Sequence, residues 1–542
     1  MVRDQAAETH VALLRALPLI VTLVLAASFI LPGIARGEFH LNIDEAYHAT
    51  TGLYFADFFR DLPLRHPVQY TYEYYAQYPA LGFVHWPPLF HTVEGVMFLV
   101  LGPSVIAARL TIFLFALFGL SFWFKLVREI DNEWTAAVST LVLAALPSLL
   151  LYEKAVMLEV PSLSLCFAAT YCWVRYLKGN SRFAYWFGLL AGLALLAKQQ
   201  SVYLAPACLL TLLLEGKWRW LLRRATLAAL GICCLVAGPF YLVSLGVDTK
   251  SIRANVLHGV EKVAHPFAYY SILLPHGLGV PLLVLSLLGI ATWFWWRRPG
   301  SSPIMLAWLV GWYATFTFIQ TKTERYIVYW LPAFVYFAIA PLTARSLPRR
   351  WRPLALALAL VLVVSGSWKA WTYRRPYVSG YQKVANDLVN TAHGGVVLFD
   401  GDLAGNFIFF MRAEDPGRHF VVLRKALYAT AVMAKFGSTE LVHSPADLET
   451  VLTQYGIKYV IVENNARLQF NSQQILRDML QTSQFKLVQE VPIESNVPQW
   501  SRRSLRVYEN LNAGSPTERF LRIKMLSMSH DLVLPLDGIL RR

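Results

Sequence analysis

Four short stretches place acids and bases where an otherwise apolar chain turns. Asp44 and Glu45 stand in His40-Leu-Asn-Ile-Asp-Glu-Ala-Tyr47, and Glu153 and Glu159 in Tyr152-Glu-Lys-Ala-Val-Met-Leu-Glu-Val-Pro161. Lys198 ends Gly192-Leu-Ala-Leu-Leu-Ala-Lys198, and Lys322, Glu324 and Arg325 lie in Thr321-Lys-Thr-Glu-Arg-Tyr326. A carboxylate can take the proton of a hydroxyl, and fixed cations can hold a phosphate as charge develops on it in leaving. Arginine suits the second task because its planar fork matches two phosphate oxygens. Ionisable groups at a bilayer are expensive unless they pair or serve a site. Chemistry on a lipid-borne phosphate needs this combination.

The elements that must position these residues are membrane helices. Of the 542 residues 56% are hydrophobic and 15% charged, against about 25% charged in soluble domains. A span needs about 20 apolar residues, and 16–35, 134–152, 225–247, 299–321 and 326–344 qualify. Basic residues collect in short links: Lys125 and Arg128, Lys178 and Arg182, Lys217 to Arg224, Arg297 and Arg298, Arg345 to Arg352. That is the positive-inside pattern. It accounts for the net charge of +15 and leaves no basic stripe for a nucleic acid.

With Arg3 and Arg15 inside, the alternation predicts spans near 12–35, 105–125, 134–152, 160–177, 183–198, 199–214, 224–246, 276–296, 303–321, 326–344 and 353–372. The segment 89–102 is short for a span, and a crossing there would put every later basic link outside. It reads as an interfacial or re-entrant helix. The loop 36–88 and the links holding Glu159, Lys198 and Arg325 then share the outer side, with the N-terminus cytoplasmic. The first apolar run is longer than a signal-peptide core and lacks a small-residue cleavage site. All five cysteines lie in spans, so no disulfide is expected.

After Tyr373 the composition changes. Residues 376–512 alternate β-rich runs (396–399, 420–423, 458–463, 504–508) with helical patterns such as 446–455, which predicts an outer α/β domain. The tail 513–542 mixes basic and apolar residues and reads as interfacial or disordered.

Five motifs then stand in a telling order: Asp44-Glu45; Trp86-Pro87-Pro88-Leu89-Phe90 followed by Ala107-Ala108-Arg109-Leu110; Glu159-Val160-Pro161; Gly192 to Lys198; and Arg325-Tyr326 with Pro332. Over 1–372 they resemble the polytopic GT-C glycosyltransferases that use polyprenyl-phosphate sugars, the protein O-mannosyltransferases and the aminoarabinose transferases that modify lipid A. The resemblance implies a bundle of about eleven spans (1–375) bearing an extracytoplasmic α/β domain, in the plasma (inner) membrane. It implies inverting transfer of a sugar from a polyprenyl-phosphate carrier to an acceptor hydroxyl on a protein, lipid or glycan. Asp44 would be the general base, with Glu45 and Glu159 orienting acceptor and sugar. Lys198 and Arg325, with Lys322 and His85, would hold the lipid phosphate. No nucleotide sugar is implied, and no metal is required, although a divalent ion is permitted. Trp86 stands where the family has Lys, which brings His85 forward, and Glu159 replaces an Asp.

Plainer readings stand beside these. Asp44 and Glu45 also suit a solvated pair or a helix cap after Asn42, Glu159 a helix dipole, and Lys198 a snorkelling side chain. Lys322 and Arg325 suit headgroup anchors, and Tyr70 to Tyr78 an interfacial aromatic belt. His258 and His265 lack ligand spacing, and Gly394, Gly395, Gly401 and Gly405 make no phosphate loop. A transporter or flippase is the rival class, but its site belongs near the midplane on broken helices of paired repeats. A scaffold presenting the α/β domain leaves Asp44-Glu45 without a role.

Overall fold

The computed structural model describes residues 2–41, 43–82, 85–247, 265–298, 300–319, 321–430, 437–526 and 531–540, with backbone only for 2–15, 247 and 540. His258 and Asn42 lie outside the described residues. Helix α1 (Val2–Ile30) ends before Pro32 and Gly33, whose φ of +80° breaks it short of the expected 35. The outer loop is folded: α2 (Asp44–Asp61) and α3 (Pro67–Gln77) occupy most of it, and α4 (Leu89–Leu101) follows. Next come α5 (Val105–Ile130), α6 (Glu133–Ala144), α7 (Pro147–Glu153), α8 (Glu159–Leu177) and α9 (Arg182–Ala197). Ser104 and Asn132 cap α5 and α6 by accepting from the N–H groups of Ala107 and Thr135, which satisfies donors a helix start leaves unpaired.

Fewer than eleven long spans stand among the described residues. Among the described residues three helices, Val105–Ile130, Arg224–Gly246 and Arg349–Thr372, are long and apolar enough to cross a membrane. Two bent pairs, Glu133–Ala144 with Pro147–Glu153 (72°) and Tyr269–Leu278 with Val280–Ala291 (115°), bring the number to at most five, when each pair counts as one span. The run 276–296 breaks at Gly279, whose φ is +78°, and Pro281 follows at the start of the next helix. The run 326–344 begins as the 3-10 segment Glu324–Tyr329 and continues as Leu331–Ile339, nine residues. That helix is about 14 Å long against a hydrocarbon core of about 30 Å. Every residue of it is buried. Its apolarity is used against protein, so composition identifies an interior segment without making it a straight crossing.

Beyond the helix Arg352–Thr372 the chain builds a five-stranded sheet from β1 (Gly395–Asp400), β2 (Phe420–Leu423), β3 (Tyr459–Asn464), β4 (Phe485–Pro492) and β5 (Ser504–Asn510). The order is β2-β1-β3-β5-β4. β1 runs parallel to β2 and β3, with Leu398 opposite Leu423 and Val460, and β5 is antiparallel to β3 and β4. The tail expected to be interfacial or disordered instead forms the hairpin Phe520–Ile523 with Leu532–Pro535, and Leu521, Ile523 and Leu536 are buried in the sheet's outer core.

The α/β domain shares a core with the helices. Its helix Ala404–Glu414 is buried from Ala404 to Arg412, as a helix apolar on all sides must be. Phe409 meets Phe39 and Phe98 edge-on or tilted at 5.0 and 6.0 Å, and Gly405 lets this helix approach α2, since a Cβ there would lie 2.9 Å from that of Ala46. Arg412 grips Asp57 of α2 by two bonds, Nε to Oδ2 at 2.8 Å and Nη2 to Oδ1 at 2.6 Å, and Tyr74 of α3 donates to the same carboxylate at 2.8 Å. Arg412→Ala leaves the buried Asp57 only the exposed Arg60 as cation, so unfolding measured on the purified protein should lose up to about 3–5 kcal/mol. Pairing Arg412→Met with Asp57→Leu should recover most of that loss.

Candidate active site

Asp44 opens α2, where a helix N-terminus favours an acid. Consecutive helical residues point about 100° apart, so Asp44 and Glu45 face different surroundings. Asp44 accepts from Arg325 Nη1 at 2.6 Å. Arg325 Nε lies 3.6 Å from Glu159 Oε1, and Lys198 Nζ donates to that same oxygen. Acids and bases thus alternate along one line, Asp44–Arg325–Glu159–Lys198, drawn from four separate stretches. The line is graded in access: the side chains of Asp44 and Arg325 are 21% and 26% exposed, those of Glu159 and Lys198 0% and 7%.

Local structure explains each placement. Glu159 is the first residue of α8. Lys198 stands at an extended break (φ −163°, ψ 134°) between α9 and the 3-10 segment Gln199–Tyr203, which turns its side chain off the helix axis. Arg325 is the second residue of the 3-10 turn Glu324–Tyr329. Tyr326 accepts from Gln200 at 2.8 Å and offers its ring to Lys198 at 5.7 Å. The arrangement offers a carboxylate at the accessible end and, beside it, two cations able to exchange a protein carboxylate for a phosphate. Among the described residues no group of three His, Cys, Asp or Glu is placed to hold a metal, and Asp44 and Glu159 already carry cations.

The other expected residues lie differently. Glu45 is fully buried and accepts from the N–H groups of His40 and Leu41 at 2.9 Å, of Val156 at 3.2 Å, and from Arg375 at 2.8 Å. Burial pushes its carboxyl up, but Arg375, Arg109 and those N–H groups hold it below the usual carboxylate range. It braces the loop and does not share the cation line. Lys322 donates to the carbonyls of Phe316, Thr317 and Ile319; it caps the end of Ile304–Phe318, the common use of a lysine at a C-terminus. His85 is half-buried in the turn before Trp86.

Sequence reasoning missed His48, one turn past Asp44 on α2. It is buried, its Nδ1 lies 3.0 Å from His91 Nε2, and its ring is 4.1 Å from that of Trp86. The spacing of four was the available signal. It also missed the braces. Arg109 donates to the carbonyls of Ile34, Arg36, Gly37 and Glu38. Glu38 accepts from Gly380, Tyr381 and Gln382 at the start of helix Tyr381–Ala392.

A family model, dolichyl-phosphate-mannose-protein mannosyltransferase, matches residues 85–242. No curated protein matches the chain in sequence. ArnT from Cupriavidus metallidurans bound to undecaprenyl phosphate superposes with a TM-score of 0.59 at 15% identity, over 91% of this chain and 97% of that one. The chain has the GT-C fold. At such identity the likeness speaks for the fold alone, and the resemblance read from the sequence holds at that level. Two further GT-C structures agree. The apo oligosaccharyltransferase of Archaeoglobus fulgidus gives 0.51 at 12% identity, over 82% of this chain and 69% of that one. The mycobacterial arabinofuranosyltransferase AftD gives 0.53 at 13%, over 94% and 40%. The matched stretch includes Glu159 and Lys198, while Asp44 and Arg325 lie outside it and reach them through the GT-C fold.

Glu38 carries a pH dependence. Burial raises its carboxyl from 4.5 to about 7, against the pull of the three N–H groups and Arg109. The folded protein therefore holds this proton more tightly than the unfolded chain. The stability it contributes is complete below 4.5 and lost as pH rises through about 7. The melting temperature of wild type should fall across that window, and Glu38→Gln should flatten the profile.

Proposed function

We propose that this chain is a membrane glycosyltransferase that moves a sugar from a polyprenyl-phosphate carrier to an acceptor hydroxyl, with inversion, on the extracytoplasmic side. The observation that carries the reading is the Asp44–Arg325–Glu159–Lys198 line. The carrier's phosphate replaces Asp44 on Arg325 and joins Glu159 at Lys198, which frees Asp44. Asp44 then takes the acceptor proton as the acceptor oxygen bonds to the anomeric carbon. The bond from that carbon to phosphate oxygen breaks, and the two cations receive the charge that moves onto the lipid phosphate. Glu159 keeps them parallel and orients the sugar.

The same reading places 36–88, 322–326 and 376–512 on one outer face, opposite Lys217 to Arg224, in a plasma-membrane protein with a cytoplasmic N-terminus. Their contacts support it, since Asp44 meets Arg325, Glu45 meets Arg375 and Asp57 meets Arg412. Short and bent helices would complete about eleven passages, the unit 1–375 carrying the chemistry and 376–512 bracing it. The acceptor is a protein, lipid or glycan.

Cysteines introduced at Gln69 and Ser438 should react with an impermeant reagent on intact cells, and one at Trp218 should not; reaction at Ser438 only after permeabilisation would overturn the sidedness. Turnover is tested with a polyprenyl-phosphate sugar against a nucleotide sugar, and efficient use of the latter without lipid would refute the reading. Asp44→Asn keeps the size of the base but cannot take a proton, so transfer per folded molecule should fall by about 10²–10⁴. Arg325→Lys should also weaken the donor's apparent affinity, because the charge survives without the fork.

A further inference from the structure

At the carboxyl end of β2 three cations surround one hollow. The strand stops at Leu423, Arg424 and Lys425 follow, and Arg522 comes from the hairpin of the tail. With Ala76 and Pro79 from the end of the outer loop and Tyr455 opposite, they line a cavity of about 200 Å³. A water's share of liquid is about 30 Å³, so the space admits a phosphate or carboxylate group with some solvent. Open sheets with parallel strands receive ligands outside the carboxyl ends of those strands. No Asp or Glu is among the described residues lining this cavity.

Arg424 is the informative member. Three arginines along the same boundary have a carboxylate: Arg375 with Glu45 at 2.8 Å, Arg412 with Asp57 at 2.6 Å, Arg418 with Asp61 at 2.6 Å. Arg424 makes neither a hydrogen bond nor an ion pair among the described residues. Its guanidinium lies over the ring of Tyr47 at 5.3 Å, half-buried. Burial lowers its proton affinity, and Tyr428 alone opposes that. Among the described residues Lys425 donates only to Tyr75, at 3.1 Å. Arg522 is exposed at the rim of the hollow. A half-buried guanidinium held over a ring with no carboxylate keeps its hydrogen-bond donors open to an anion from outside the chain. Tyr47 lies three residues past Asp44 on α2, which ties the hollow to the helix that carries the base. The carrier's phosphate already has Arg325 and Lys198.

We propose that Arg424, Lys425 and Arg522 form a binding site for an anionic group, phosphate or carboxylate, borne by the acceptor. The site itself stands on this geometry, and only the identity of its bearer rests on the glycosyltransferase reading. The test uses the full chain in nanodiscs of neutral phospholipid, with inorganic phosphate titrated against chloride at constant ionic strength and thermal unfolding as readout. Wild type should show a saturable rise in melting temperature. Arg424→Gln should raise the half-saturating concentration roughly tenfold or more, the worth of one charge-assisted hydrogen bond. The double variant Lys425→Gln/Arg522→Gln should do the same and replaces it if Arg424→Gln fails to fold. No saturable rise, or one that both variants retain, overturns the site; the latter is expected if phosphate sits on Arg325 and Lys198. Protection by nanodiscs of anionic phospholipid, with none from phosphate, also overturns it and gives the hollow to a lipid headgroup. A phosphate response in a chain that transfers no sugar from any polyprenyl phosphate would remove the proposed function and leave the site.

Discussion

A carboxylate shut away from water must be matched where it stands, and Glu45 is the one on which this architecture turns. It takes a guanidinium from Arg375 and N–H groups from His40, Leu41 and Val156, so one side chain joins the outer loop, the link before α8 and the entry to the α/β domain. Because its neighbour on the helix points about 100° away, fixing Glu45 inward fixes Asp44 toward Arg325. Arg109 adds to the brace by collecting four carbonyls of the preceding loop. Removing one partner would leave a buried charge uncompensated, which costs far more than the pair contributes while intact.

The same electrostatic rule shapes the line Asp44–Arg325–Glu159–Lys198. At low effective dielectric, like charges cannot gather unless opposite charges stand between them, and alternation along the line meets that condition. Two cations share Glu159 Oε1, which holds them side by side at rest. That spacing suits one phosphate group. Asp44, at the accessible end, is tied to the line through Arg325, so under the proposed function arrival of a phosphate and release of the base would be a single event.

The α/β domain is a brace with an opening. Helix Ala404–Glu414 enters the core against α2 and α4, and three arginines of the boundary close on carboxylates. Where the boundary instead leaves Arg424 unmatched over Tyr47, a hollow remains.

Composition and charge placement are local properties, and what depends on them was legible in the residues. The apolar runs announced membrane helices, of which three to five among the described residues are long and apolar enough to cross, the motifs from Asp44 to Arg325 announced the GT-C fold, and alternating β-rich runs after Tyr373 announced a sheet. Straightness was not legible, because a positive φ at Gly279 and full burial of Leu331–Ile339 turn apolar runs into bent or short helices. Nor were the partners of charged side chains. Lys322 found three carbonyls one turn away, Glu45 turned from its neighbour Asp44, and Glu38 met a helix start over three hundred residues later. Residue type sets what a side chain can do; only packing between distant segments decides which group it meets, and at buried positions that meeting decides the chemistry.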